Sequence, residues 1–156
     1  MDRYSEVTNK NQREIVLLKA FPCKWGKCSF CDYILDNSND EEEINKLNFE
    51  VLENITGKYK VLEVINSGSC FEIPKATLLK IKEIVKEKKI ERLFFESHWI
   101  YKKKIQQMRD FFDIPITFKI GVETFDYDFR NNFLNKNAKF ETVEELKKYF
   151  DSPCIM

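Results

Sequence analysis

Ile15-Val16-Leu17-Leu18-Lys19-Ala20-Phe21-Pro22-Cys23-Lys24-Trp25-Gly26-Lys27-Cys28-Ser29-Phe30-Cys31 runs an apolar segment straight into a cluster of cysteines. Residues 15–21 have the length and the Ile, Val and Leu content of a buried strand. Four residues then separate Cys23 from Cys28, and two separate Cys28 from Cys31. Thiolates grouped this tightly hold a metal ion or an iron–sulfur cluster. Three ligands on a four-iron cluster leave one iron free for a further ligand. On a loop after a strand, the cysteines lie where parallel α/β proteins place their ligands.

Strand and helix signals alternate on both sides of this centre. The cysteine loop spans 22–39 and ends in the turn residues Asp36-Asn37-Ser38-Asn39-Asp40, which also supply an N-cap. Glu41-Glu42-Glu43 opens a helix at its favourable positive end, and Ile44, Leu47, Val51, Leu52 and Ile55 give it an apolar face. Residues 60–66 read as a second strand, followed by the small-residue loop Ser67-Gly68-Ser69-Cys70. Pro74 starts a second helix. A strand at 92–97, a helix at about 101–112, a strand at 116–124 and a short helical piece at 127–134 follow. Thr142 with Glu145 fits a capping box for a helix at 142–150. Asp151-Ser152-Pro153 breaks the pattern, and Cys154-Ile155-Met156 reads as the start of a fifth strand. The expectation is a single α/β domain over 1–156. Its parallel sheet forms a partial (β/α) barrel, incomplete at the C-terminus.

Composition narrows the function classes. With 43% hydrophobic and 14% aromatic residues, 14 of them Phe, the chain can bury a core. Lys plus Arg and Asp plus Glu number 26 each, so a general nucleic-acid binder, which is normally basic, is not expected. No apolar run of about 18 residues suggests a membrane span, and residues 1–11 are polar with no signal-peptide core. A cytoplasmic protein is expected. In a reducing compartment the three clustered cysteines are metal ligands rather than disulfides, and the total of five, an odd number, fits a full disulfide framework poorly.

Two non-catalytic readings compete for the cysteines. Cys28 and Cys31 form one zinc-type pair, which Cys23 and His98, the sole histidine, complete to four ligands. The spacing also matches a plant-type ferredoxin run, with Cys70 as the fourth ligand. Either would make the chain a non-enzymatic zinc- or iron–sulfur-binding α/β module.

The residues resemble the radical S-adenosylmethionine (SAM) superfamily. Its cluster motif has three cysteines with an aromatic just before the last, as Phe30 precedes Cys31 here; the first gap is one residue longer than usual. Asn66-Ser67-Gly68-Ser69, Phe95-Glu96-Ser97, Gly121-Val122-Glu123-Thr124 and Arg130 with Asn135-Lys136-Asn137 stand in the order of the family's strand-end motifs. The resemblance covers about 15–150 and implies that Cys23, Cys28 and Cys31 hold a [4Fe-4S] cluster. It implies that Phe30, Ser67, Gly68, Ser69, Glu96, Ser97 and Glu123 line the SAM site, with Arg130 pairing the SAM carboxylate. Cleavage of SAM would give a 5′-deoxyadenosyl radical that takes a hydrogen atom from the substrate.

The set looks closest to a small branch that includes the queuine lyase of queuosine salvage and the archaeosine-forming partner. That implies a lyase acting on a nucleobase-like small molecule, a 7-deazaguanine such as queuine, and releasing preQ1. Tyr33, His98 and Trp99 are expected at the substrate. Asp32, Glu72, Glu96 and Glu123 are the acids able to accept from the base's N1–H and amine. A reductant such as flavodoxin or ferredoxin supplies the electron.

Overall fold

The computed structural model describes residues 2–155. Six strands form one sheet in the order β1-β2-β3-β4-β5-β6, so each strand lies beside its sequence neighbour. They are β1 (Tyr4–Val7), β2 (Arg13–Leu18), β3 (Val61–Asn66), β4 (Arg92–Glu96), β5 (Ile116–Glu123) and β6 (Ser152–Ile155). From β2 onward all pairs are parallel, and helices α1 (Glu41–Leu52), α2 (Lys75–Glu87), α3 (Ile105–Phe112) and α4 (Val143–Lys147) fill the crossovers. Parallel strands added one after another in a single direction curl into part of a barrel, as the alternation led us to expect.

Period-two burial assigns the two faces of the sheet. In β5, Ile116, Phe118, Ile120 and Val122 are buried while Thr117, Lys119, Gly121 and Glu123 are half-buried. In β4, Leu93 and Phe95 are buried and Phe94 and Glu96 are half-buried. The buried set packs on Leu52, Ile81, Val85, Met108 and Phe112 of the helices, where the core lies. The opposite, concave face carries charge. Arg13 and Lys119 both pair with Glu63 there, at 2.5 and 2.6 Å.

Local chemistry explains the helix starts. Asp40 caps α1 by accepting from Glu42 N and Glu43 N, both at 3.0 Å. Thr142 accepts from Glu145 N at 3.1 Å, but the reciprocal carboxylate reaches Glu141 N instead of closing the expected box.

Three expectations about elements are corrected. Residues 4–7, given no element in the sequence reading, form β1, which pairs antiparallel to β2 with Tyr4 opposite Val16 and Val7 opposite Arg13. The turn-forming run Thr8-Asn9-Lys10-Asn11 closes that hairpin, with Asn11 at φ 56°. The last strand starts at Ser152, because Pro153 is tolerated on an edge strand; Met156 lies outside the described residues. The helical piece near 127–134 is a π-turn over Phe129–Phe133, and the helix expected from 101 begins as a 3-10 segment, Trp99–Lys104. No helix is long and apolar enough to cross a membrane among the described residues.

Candidate functional site

The three cluster cysteines stand on the loop after β2, at the C-terminal end of the parallel strands. All three thiols are free and half-buried. Asn48, buried on α1, fixes the loop's approach by bonding both Lys19 N (2.8 Å) and Lys19 O (2.9 Å), as a neighbouring strand would. The far side of the loop docks on the segment after the π-turn. Trp25 Nε1 donates to Asn135 O (2.6 Å), Asn135 Nδ2 to Lys27 O (2.7 Å) and Ser29 N to Leu134 O (3.0 Å).

The thiols act on one another electrostatically, and burial pushes those of Cys23 and Cys28 up. Loading a metal group therefore releases protons from them. No three His, Cys, Asp or Glu side chains converge tightly enough for a single metal ion among the described residues. A cubane asks something different, one thiolate at each of three separate irons, and three free thiols on one braced loop fit that donor set. His98, the zinc reading's fourth ligand, has both ring nitrogens committed. Nδ1 accepts from Ile100 N (3.2 Å), which leaves Nε2 to donate to Lys136 O (2.6 Å). Burial holds its pKa down at about 4. Cys70, the ferredoxin reading's fourth ligand, is fully buried.

The loop after β3 makes a cradle. Ser67 and Ser69 are buried, and their hydroxyls are used internally, Ser69 Oγ against Ser97 Oγ at 2.9 Å and Ser67 Oγ against the Asn37 amide at 2.6 Å. Asn37 turned with its oxygen to Cys23 N (3.2 Å) and its nitrogen to Ser67 satisfies all of these groups. What this loop offers a ligand is therefore backbone, brought close by Gly68, where a Cβ would collide with the Glu72 carboxylate.

β5 ends in a bulge with Glu123 at φ 65°, a strained conformation for a non-glycine residue. Its carboxylate pairs with Lys136 Nζ at 2.6 Å. A Cβ on Gly121 would lie 2.7 Å from Glu123 Oε1 and 2.8 Å from Lys136 Nζ, so a side chain there would push the pair aside. The Lys136 ammonium also lies over the Phe30 ring at 5.3 Å, which links it to the cysteine loop. Glu96, at the end of β4 beside Lys119, has no hydrogen-bond partner among the described side chains, and burial pushes its carboxyl up.

Several expected roles are corrected by placement. Arg130 does not face an open site. It is buried, its guanidinium donates to Ala138 O (2.9 Å), Thr124 O (3.0 Å) and Phe140 O (2.6 Å), and it stacks on Phe140 at 3.8 Å. Trp99 is a core residue, edge-on to Phe140 and Tyr149. Tyr33 stands 68% exposed on the 3-10 turn Tyr33–Asp36, and Asp32 beside it is exposed too. Glu72 is consumed by protein donors. The cation at the strand ends is instead Lys136, paired with Glu123, and its signal in the sequence is the polar run Asn135-Lys136-Asn137 after the strand.

No family model matches the chain. It is similar to a solved structure of a queuine lyase from Clostridium spiroforme bound to SAM and queuine, with 58% identity and a TM-score of 0.98 over 100% of this chain and 68% of that one. It is also similar to an uncharacterised protein of Methanocaldococcus jannaschii, 26% identical over 146 residues. That alignment takes in 82% of this chain and 40% of the archaeal protein, so the chain spans less than half of that relative's length.

Proposed function

We propose that this chain, which belongs to the queuine lyase family of radical SAM enzymes, binds a [4Fe-4S] cluster and SAM and acts on queuine, releasing preQ1. One observation carries the reading most: the cysteine loop, the Gly68 cradle and the Glu123–Lys136 pair meet at one end of the sheet. Cys23, Cys28 and Cys31 would hold the cluster. When bound, the cluster supplies the electron that cleaves SAM to methionine and a 5′-deoxyadenosyl radical.

The chain's own residues bind and orient. Backbone groups of Ser67-Gly68-Ser69 receive the SAM amino group, because the serine hydroxyls are already engaged. Lys136 meets the SAM carboxylate, with Glu123 holding the ammonium in place. Of the four acids able to read a deazaguanine edge, Glu72 and Glu123 are paired and Asp32 is exposed. Glu96 keeps an unused carboxylate on the concave face, and a half-buried acceptor of this kind favours a ligand carrying paired N–H donors. Residues 1–156 act as one domain in the cytoplasm, reduced by a flavodoxin or ferredoxin, with no direct contact to nucleic acid; the zero net charge supports the last point.

The test is conversion of queuine. Reconstituted anaerobically with iron and sulfide, then given SAM and dithionite, the wild-type enzyme releases preQ1. Cys23→Ala, Cys28→Ala and Cys31→Ala each abolish it. Normal turnover by any of these variants overturns the assignment.

A further inference from the structure

We infer that Glu72 is a positioning residue that ties the first cluster cysteine to the SAM-binding glycine loop; this rests on the radical SAM reading above. Glu72 reaches the cysteine loop twice. Its backbone carbonyl accepts from Phe21 N (3.0 Å) and its Oε1 from Lys24 N (2.7 Å), so one residue brackets Cys23 on both sides. Its Oε2 accepts from Ser69 N (2.5 Å) and occupies the space that a side chain at Gly68 would need. Tyr101 Oη, from the segment after β4, donates to Oε1 at 3.1 Å.

A plainer role exists for part of this. Glu72 and Ser69 form a capping box on the 3-10 turn Cys70–Glu72. A cap accounts for the bond to Ser69 N and leaves the bonds to Lys24 N and Tyr101 Oη without a purpose. The carboxylate is buried, and each of its oxygens faces a donor. An ionised carboxylate accepts at both oxygens, whereas glutamine turns an N–H toward one of those N–H groups. Movement of the glycine loop is thereby passed to the Cys23 backbone through a single side chain.

The experiment compares wild type, Glu72→Gln and Tyr101→Phe. Amide exchange is read residue by residue on the apoprotein, and SAM is titrated into the cluster-loaded enzyme. In Glu72→Gln, protection falls together at Lys24 and Ser69, and SAM binds roughly 10- to 100-fold more weakly, as expected for loss of a charged acceptor. Tyr101→Phe keeps the carboxylate and shows the same two changes in smaller degree. Loss of protection at Ser69 alone, with SAM affinity and iron content as in wild type, would reduce Glu72 to a cap and overturn the inference. If Glu72→Gln does not fold, unchanged Lys24 exchange and SAM affinity in Tyr101→Phe overturn it. A wild-type protein that assembles no SAM-binding cluster refutes the radical SAM reading instead, and apoprotein exchange then decides the link between the loops.

Discussion

Arg130→Met separates two roles for the largest fully buried side chain in the protein. The structure makes this guanidinium a staple. It closes the segment after the π-turn onto Thr124, Ala138 and Phe140 through three carbonyl acceptors. A hydrogen bond to a charged group contributes about 1.5–3 kcal/mol, so three would total about 5–9 kcal/mol if they added. They do not add fully, because the Thr124 bond is only part-buried, the freed strand relaxes, and methionine keeps most of the contact with Phe140. The expected loss is about 3–5 kcal/mol, which in a domain of this size lowers the melting temperature by about 10 °C. Calorimetry or urea unfolding of the apoprotein measures it. SAM affinity falls as well, since Lys136 lies on the released segment. A variant that melts with wild type and yet binds SAM poorly would refute the staple and restore Arg130 as the carboxylate partner.

Other outcomes follow from single contacts. Lys136→Met should weaken SAM binding roughly 10- to 100-fold while leaving the fold in place, checked by titration alongside thermal melting. A Kd equal to wild type would remove Lys136 from the SAM site. His98 gives a pH dependence whose sign is fixed by its lowered folded pKa, about 4 against 6.5. Between these values the unfolded chain binds more protons than the native one, so the stabilisation is complete above pH 6.5 and is lost as pH falls toward 4. It amounts to roughly 3–4 kcal/mol at most. Urea unfolding between pH 7 and 4 should show this slope in wild type and lose it in His98→Gln.

The cysteine spacing and the strand–helix alternation were legible because both are local. Thiol clusters and apolar periodicity need no tertiary information. β1 was not legible: a four-residue edge strand presents mostly polar side chains, and its pairing with β2 is visible only across the hairpin. Arg130 and Trp99 misled for a related reason. Sequence order put them beside the strand ends, but burial turned Arg130 to three carbonyls and Trp99 into an aromatic cluster. Glu72 left one local trace, its three-residue spacing from Ser69. Its reach to Lys24, 48 residues away in sequence, left none. The Glu123–Lys136 pair likewise depends on a bulge and on Gly121, and only the folded register brings these together.

On the function proposed, this chain directs SAM cleavage toward queuine. Its most direct test is the yield of 5′-deoxyadenosine from the reconstituted, reduced enzyme, measured with and without queuine under strict anaerobiosis. Deoxyadenosine should rise when queuine is added, with preQ1 formed alongside it. Deoxyadenosine formed at the same rate with and without queuine would contradict the substrate. None at all from a protein that carries zinc in place of iron would contradict the chemistry.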